Sequence, residues 1–562
     1  VSAAPDELLA AARAWLAQDP DGQTRNELRA LLEGAEAGDA AARDGLADRF
    51  SSRLAFGTAG LRGALGAGPN RMNRVLVAQA AAGLAAYVTE RAEPDAVPTV
   101  VVGYDGRRNS DVFARDSAEI FAGAGLHAVL LPRMLPTPVL AFAVRHLGAA
   151  AGVMVTASHN PPDDNGYKVY LGGADDGAQI VSPADAEIAA HIQVVADRGD
   201  IGLIPRSVGY AIAAEGVVEA YVAATAAVAP ATHGAEGLRW VYTAMHGVGW
   251  ETLQRILDTA GYPAPTVVDA QIAPDGTFPT VAFPNPEEPG AMDLAFETAR
   301  AAGAELVLAN DPDADRLAVA IPDGEAEGGW RRLSGNDVGL LLGWRAARAA
   351  AASGSGGATL ASSLVSSPGL QAIAEHYGLD FVATLTGFKW ISRAPGIVYG
   401  FEEALGYLVN PETVRDKDGI SAAVALLGLV GKARERGTDL AGLLSEMRET
   451  FGAFASDQIS IRVTDVSQIA GIMAALRAQP PQRVGEIAVA HIDDLLDGVD
   501  GLPPGDVLRI WLDDGSRLVV RPSGTEPKLK MYLDVRGSSQ DEAAARLSAL
   551  ADGARALLDS IR

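Results

Sequence analysis

From about residue 99 to residue 406 the chain alternates short apolar runs with helical stretches, and in each round one apolar run stops abruptly at a polar or charged loop. In the first round the pattern predicts strands over 100–103, 127–131 and 153–155, with helices over 111–124 and 139–147 between them. In the second it predicts strands over 238–243, 266–269 and 305–309, with helices over 250–260 and 292–302. In the third a helix over 338–351 leads to a strand over 358–362, a helix over 369–377, a strand running into Thr386, and a strand over 397–399. Strands alternating with helices of this size predict parallel sheets with right-handed crossovers. Such sheets bind ligands beyond the carboxyl ends of their strands, so the polar loops are where chemistry is expected.

The remainder reads differently. Residues 185–229 look like Ala-rich helix linking the first two rounds, and a long helix is predicted over 419–436. From residue 457 the pattern is strand, helix (467–477), several strands over 507–535 and a terminal helix (541–561), an α+β layout with antiparallel strands. A chain of 562 residues is too long for one core, and about three to five domains are expected. The limits read from the pattern are a helical, acidic extension over 1–48 and domains over 49–215, 216–334, 335–455 and 456–562. The fold class is therefore α/β, with three doubly wound domains followed by a C-terminal α+β domain.

Composition narrows the partners. The formal charge of −25 argues against nucleic acid and anionic membrane. It also requires any phosphate site to be a local cationic pocket. With no cysteine there is no thiol nucleophile and no disulfide. The first residues carry early acids and no basic leader, so a helix rather than a signal peptide is expected. No apolar run approaches 18 residues, and a cytoplasmic location is expected.

The loops carry the specific signals. The strand at 153–155 enters Thr156-Ala157-Ser158-His159-Asn160-Pro161-Pro162, followed by Asp163-Asp164-Asn165-Gly166-Tyr167-Lys168. Pro161 biases Asn160 away from helix, and the tract after it is turn chemistry. Upstream, 53–63 (Arg-Leu-Ala-Phe-Gly-Thr-Ala-Gly-Leu-Arg-Gly) reads as a glycine-rich loop whose backbone comes close to a ligand. The strand at 305–309 runs into Asp311-Pro312-Asp313-Ala314-Asp315-Arg316, three carboxylates at alternate positions. An EF-hand would need Gly where Arg316 stands and Glu where Pro322 stands. Carboxylates this close repel unless a cation lies among them, and all-oxygen ligation suits Mg²⁺. The octad Arg521-Pro522-Ser523-Gly524-Thr525-Glu526-Pro527-Lys528 combines Arg, Lys, hydroxyls and a glycine amide into an anion cradle.

Thr-Ala-Ser-His-Asn-Pro with Asn-Gly-Tyr-Lys resembles the phosphoserine loop of the α-D-phosphohexomutases, the family of phosphoglucomutase and phosphomannomutase. The resemblance recurs, in chain order, from Phe56 to Lys528. It implies that Ser158 carries an exchangeable phosphoryl group and that Arg62 contacts that loop. It implies that Asp311, Asp313 and Asp315, with an oxygen on Ser158, bind Mg²⁺, and that Arg316 helps to hold substrate. Gly400-Phe401-Glu402-Glu403-Ala404-Leu405-Gly406 resembles the sugar-recognition loop, with Glu402 as its glutamate and Ala404 where a serine is usual. The Glu-Glu-Ala form resembles a branch containing phosphoglucomutases with phosphopentomutase or sugar-bisphosphate synthase relatives. Lys417 of Asp-Lys-Asp-Gly and Thr386 and Lys389 of Thr-Gly-Phe-Lys match substrate-facing positions. Lys168, Lys389 and His159 are the candidates for proton transfer. Arg521, Ser523, Gly524, Thr525 and Lys528 match the grip on the phosphate that is not transferred.

The family further implies a central cleft between the four domains, small sugar phosphates as substrates and a hexose 1,6-bisphosphate as activator. The expected reaction moves a phosphoryl group between O1 and O6 of a hexose phosphate, with glucose as substrate. A phosphopentomutase or a sugar-1,6-bisphosphate synthase would share these loops. A non-catalytic phosphosugar sensor would need neither Ser158 nor three aspartates. A Ser–His hydrolase is disfavoured, because adjacent Ser158 and His159 are not expected to hydrogen-bond usefully. Oligomeric state is not legible.

Overall fold

A computed structural model describes residues 5–57, 60–354, 356–463, 467–499, 501–523 and 528–561. The chain gathers into two compact units. One comprises the chain up to Arg332 together with Asn410–Gly428, and the other Leu333–Val409 with Leu429 onward.

The first unit opens with three helices, Pro5–Gln18, Gly22–Glu36 and Ala40–Phe50. Asp21 and Asp39 cap the second and third by accepting from the amides of Gln23 and Ala41. Their apolar faces (Trp15, Leu28, Leu32, Leu46) share one continuous core with the sheet that follows.

That sheet contains β1 (Leu61–Ala64), β2 (Thr99–Tyr104), β3 (His127–Leu130), β4 (Ala151–Val155), β5 (Asp164–Leu171), β6 (Ala178–Gln179) and β7 (Ala211–Ile212). The order is β1-β5-β4-β2-β3-β7, with β6 on β5. Strands β2, β3, β4 and β7 are parallel, as the alternation predicts. Strand β5 runs antiparallel to both β4 and β1. The loop between β4 and β5 is too short for a parallel crossover, which needs about a dozen residues or more, so the chain turns straight back.

Two expectations need correction here. The 185–229 stretch is helical over little more than half its length: β7 interrupts it between helices Ala184–Asp197 and Gly216–Ala226. Gly199 adopts a φ of +72° and Pro205 lacks an amide donor, so a helix cannot run through. Arg62 lies on β1 rather than in a loop. Gly60 there packs against protein: a Cβ on it would sit 1.9 Å from the Tyr167 carbonyl oxygen.

The second domain holds β8 (Trp240–Thr243), β9 (Thr266–Val267), β10 (Leu306–Asn310), β11 (Leu317–Pro322) and β12 (Trp330–Arg332), ordered β12-β11-β10-β8-β9. Strands β9 and β10 lie parallel to β8, and β11 returns antiparallel beside β10.

In the second unit, β13 (Thr359–Ser363), β14 (Asp380–Thr384), β15 (Ile397–Glu402) and β16 (Gly406–Leu408) are ordered β14-β13-β15-β16. Strands β14 and β15 flank β13 in parallel, and β16 turns back on β15. One device therefore recurs in three domains. A strand parallel to the neighbour on one side (β4, β10, β15) enters a tight polar loop, and the chain returns on the other side as its antiparallel partner (β5, β11, β16).

The last domain is the expected α+β layout. Strands β17 (Ala453–Arg462), β18 (Arg483–Val484), β19 (Ile487–Asp494), β20 (Leu508–Leu512), β21 (Arg517–Pro522) and β22 (Lys528–Gly537) form an antiparallel sheet ordered β17-β22-β21-β20-β19-β18. Helices Ser467–Ala478 and Gln540–Ile561 supply the other half of its core. Leu364, Val365, Val507, Val519 and Tyr532 form a further cluster joining this sheet to the third domain.

Candidate active site

Ser158 sits just beyond the end of β4, with a φ of +53° and 1% exposure. Its amide donates to Thr156 Oγ1 at 2.9 Å. The loop is held from behind by Arg107, which the sequence reading did not single out. Nη2 donates to the carbonyls of Ser158 (2.7 Å) and Asn160 (2.6 Å), and Nη1 to those of Pro161 (2.8 Å) and Asp164 (3.2 Å). The only hint in the sequence is Asp105-Gly106-Arg107-Arg108 directly after β2. Arg62 reaches the same loop from β1, its Nη1 donating to Asn160 Oδ1 at 3.2 Å.

Ser158 Oγ donates to Asp311 Oδ2 at 2.7 Å. It also lies 3.2 Å from His159 Nδ1, so these adjacent side chains do come within hydrogen-bond distance. The left-handed backbone at Ser158 is what distinguishes this turn from the extended geometry that would splay the two side chains apart. Burial, then the positive charges of Arg316 and Arg62, hold the His159 imidazole well below its ordinary pKa, so it stays neutral.

Asp311, Asp313 and Asp315 are fully buried, and one oxygen from each lies within 4.8 Å of the others. Lys168 Nζ from β5 is 2.7 Å from both Asp313 Oδ2 and Asp315 Oδ2. Lys417 Nζ is 2.8 Å from Asp315 Oδ2. The remaining oxygens, Oδ1 of Asp313 and of Asp315, have no hydrogen-bond partner. Burial and the other two carboxylates push Asp311 well above the usual range. Burial raises Asp313 too, but Lys168 and Thr137 outweigh it and its pKa falls. Burial and Asp313 raise Asp315, and Lys168, Lys417 and Arg316 reverse the effect. Two buried carboxylate oxygens without a hydrogen bond, one of them with Arg316 Nε 3.8 Å away, fit a hard divalent cation beside the third carboxylate, because buried oxygens left this way are costly otherwise.

The acidic loop is locked by its neighbours. A Cβ on Gly247 would lie 2.3 Å from the Pro312 carbonyl oxygen, and Val248 N donates to that oxygen at 2.8 Å. Arg316 N donates to Asp311 Oδ1 at 3.0 Å. Lys417 is fixed between two buried carboxylates that the sequence reading passed over. Asp416 accepts from Tyr170 Oη (2.8 Å) and Gln179 Nε2 (2.9 Å), and Asp418 from Tyr221 Oη (2.9 Å).

In the second unit, Glu402 ends β15 and Lys389 lies on the short helix Phe388–Ile391 just after Thr386. Glu403, also unanticipated, accepts from Ser363 Oγ (3.2 Å) and Ser366 Oγ (3.0 Å). Burial, then Glu402, pushes its carboxyl up to about 7. Burial, then Glu403, raises the Tyr532 phenol, and Arg521 opposes them. Ser523 N donates to the Lys528 carbonyl at 2.7 Å, closing that hairpin. Gly524 and Thr525 lie outside the described residues. Glu402 and Arg521 both belong to this second unit, while Ser158, His159, Lys168, Arg62, Arg316, Lys417 and the three aspartates belong to the first. Among the described residues no helix is long and apolar enough to cross a membrane.

Comparison with known proteins matches four family models of phosphoglucomutase/phosphomannomutase. They are alpha/beta/alpha domain I over 53–198, domain II over 219–324, domain III over 334–451 and the C-terminal domain over 459–552. A "probable phosphomannomutase" of Haemophilus influenzae is 54% identical over 487 residues, 87% of this chain and 98% of that protein. A "probable phosphoribomutase" of Schizosaccharomyces pombe is 35% identical, covering 94% of each chain. In fold, the chain is similar to a phosphoglucomutase/phosphomannomutase family protein from Burkholderia thailandensis, with a TM-score of 0.70 at 21% identity over 91% of this chain and 98% of that one.

Proposed function

The chain belongs to the phosphoglucomutase/phosphomannomutase family, and from that premise we propose that it interconverts glucose 1-phosphate and glucose 6-phosphate through phospho-Ser158. The observation that carries this reading is the 2.7 Å contact of Ser158 Oγ with Asp311 inside a buried trio of aspartates.

In the proposed cycle the bond from phosphorus to Ser158 Oγ breaks as a new one forms to the sugar's free hydroxyl. That hydroxyl's proton ends on the departing Ser158 Oγ, relayed through His159 Nδ1 at 3.2 Å, and a hexose 1,6-bisphosphate results. The bisphosphate turns over, and its other phosphoryl group passes to Ser158 Oγ, freeing the product. A catalytic amount of the bisphosphate serves as activator by loading Ser158. When Ser158 takes the group, its own proton goes to His159 Nδ1, which is 3.2 Å away on a neutral ring, and from there to the sugar oxygen that departs. Lys168 is engaged by two aspartates, and its part is to hold them. Asp311, Asp313 and Asp315 would bind Mg²⁺, which when present offsets the charge on the transferring phosphoryl group.

Arg62 and Arg316 face the phosphoserine end. Glu402 reads sugar hydroxyls, with Thr386, Lys389 and Lys417 as further substrate contacts. Arg521, Ser523, Gly524, Thr525 and Lys528 grip the distal phosphate, whose binding orients the transfer. The domain limits we adopt are 49–215, 216–334, 335–455 and 456–562, after an extension over 1–48.

A second reading is a phosphopentomutase. The likeness to a phosphoribomutase favours it, as does Ala404, which removes one hydroxyl-binding partner from the sugar loop. An activity panel of glucose, mannose and ribose 1-phosphates, with Mg²⁺ and catalytic bisphosphate, separates these readings. Ser158→Ala is expected to abolish turnover and phosphoserine formation while sparing sugar-phosphate binding. Turnover by that variant, or silence on all three sugars, would overturn the proposal.

A further inference from the structure

Thr137 lies in the first domain, 176 positions before Asp313 in sequence, at the start of helix Thr137–His146. It is fully buried, and it holds Asp313 at two points. Its amide donates to the Asp313 carbonyl at 2.9 Å, and its Oγ1 donates to Asp313 Oδ2 at 2.6 Å. Lys168 Nζ occupies the same carboxylate oxygen at 2.7 Å. Two donors therefore converge on Oδ2, while Oδ1 is buried and bare.

An aspartate carboxyl turns easily about its last torsion, and nothing intrinsic distinguishes its two oxygens. What distinguishes them here is the hydroxyl of Thr137. A lysine alone does not settle the matter, because its three donors rotate about one point and can follow either oxygen. A threonine hydroxyl held on a rigid helix end cannot.

We propose that Thr137 is a positioning residue of the metal centre: it pins Asp313 Oδ2 so that Oδ1 is the oxygen presented to the cation. This rests on the reading of the aspartate trio as a metal site. The placement also means that the first domain, which supplies Ser158, fixes a ligand contributed by the second.

The test is Mn²⁺ binding by the full-length protein, measured by electron paramagnetic resonance without substrate. Outer partners of metal ligands typically contribute ~10–100-fold to affinity, and Thr137→Val should weaken Mn²⁺ binding by that amount. Thr137→Ser, which keeps the hydroxyl, should bind close to the wild type. Thr137→Ala serves in place of the valine variant should that one fail to fold. Wild-type affinity in both hydroxyl-free variants would overturn the inference, even with a lowered melting temperature, since Thr137 would then be only a structural tie. An equal loss in the serine variant would overturn it too. A wild-type protein that takes up no Mn²⁺ removes the metal reading itself, and this inference with it.

Discussion

The guanidinium of Arg107 meets the main-chain carbonyl of Ser158 at 2.7 Å, and three more carbonyls of the same loop converge on that side chain. A planar fork can span four acceptors in fixed directions, and an ammonium cannot. Arg107→Lys is therefore expected to lower kcat by ~100-fold through misplacement of the serine, with KM little changed. Steady-state kinetics and the rate of phosphoserine formation check this. A large rise in KM at constant kcat would contradict it.

Gly60 takes a φ of +91° and faces the Tyr167 carbonyl with no room for a methyl group. Gly60→Ala should destabilise the protein by at least ~2 kcal/mol, combining backbone strain with a steric clash. Because β1 pairs with β5 next to this contact, the carrier of Arg62 should shift as well. Urea unfolding reads the first effect, and the rate of Ser158 phosphorylation the second.

Lys168 Nζ lies 2.7 Å from a carboxylate oxygen of both Asp313 and Asp315. Replacing it with methionine leaves buried carboxylates undercompensated, a change worth ~3–5 kcal/mol when a buried pair is broken. A divalent cation restores positive charge at the same place, and a ligand at 100 times its Kd contributes ~2.7 kcal/mol. The stability deficit of Lys168→Met should accordingly be larger in EDTA than in saturating Mg²⁺. Thermal melts in the two buffers decide it, and equal deficits would count against the shared site.

Glu403 is pushed from an ordinary 4.5 up to about 7 by burial and by Glu402. Between those two values the folded protein keeps a proton that the unfolded chain has released. Stability contributed by this group is therefore present at low pH, falls as pH rises towards about 7, and levels off above it. Glu403→Gln should remove that slope, so that the variant gains on the wild type as pH rises from 5 to 8. Denaturant midpoints across this range provide the measurement. A difference that is constant with pH would show that Glu403 does not titrate there.

Much of the site is readable in the chain because its elements are local. Ser158 and the aspartates each follow a buried strand within a few residues, and turn-forming prolines and acids mark the loops. Lys168 is visible because it closes the Asn-Gly-Tyr-Lys run soon after Ser158. What escapes the sequence is held together across long separations. Arg107, Thr137 and Tyr170 reach their partners across 51, 176 and 246 positions. No periodicity encodes such meetings, since they arise only once the sheets have formed. Glu403 is hidden for a different reason. Beside Glu402 it looks like one more solvated acid, and only the Ser363 and Ser366 hydroxyls mark it as an internal group. The return strands β5, β11 and β16 were missed because short apolar runs after a charged loop resemble the start of another crossover.

Those return strands have a consequence for where the chain tolerates insertions. Each polar loop is clamped at both ends by a hydrogen-bonded strand pair, so one added residue would have to be absorbed inside the loop or would shift the following strand by one place. A one-place shift in a strand exchanges its inward and outward side chains. For β5 that would turn Lys168 away from the aspartates and send a neighbour in its stead. Length variation in this protein therefore belongs in the helical crossovers and the outer turns, and the three hairpin tips should keep a fixed count of residues.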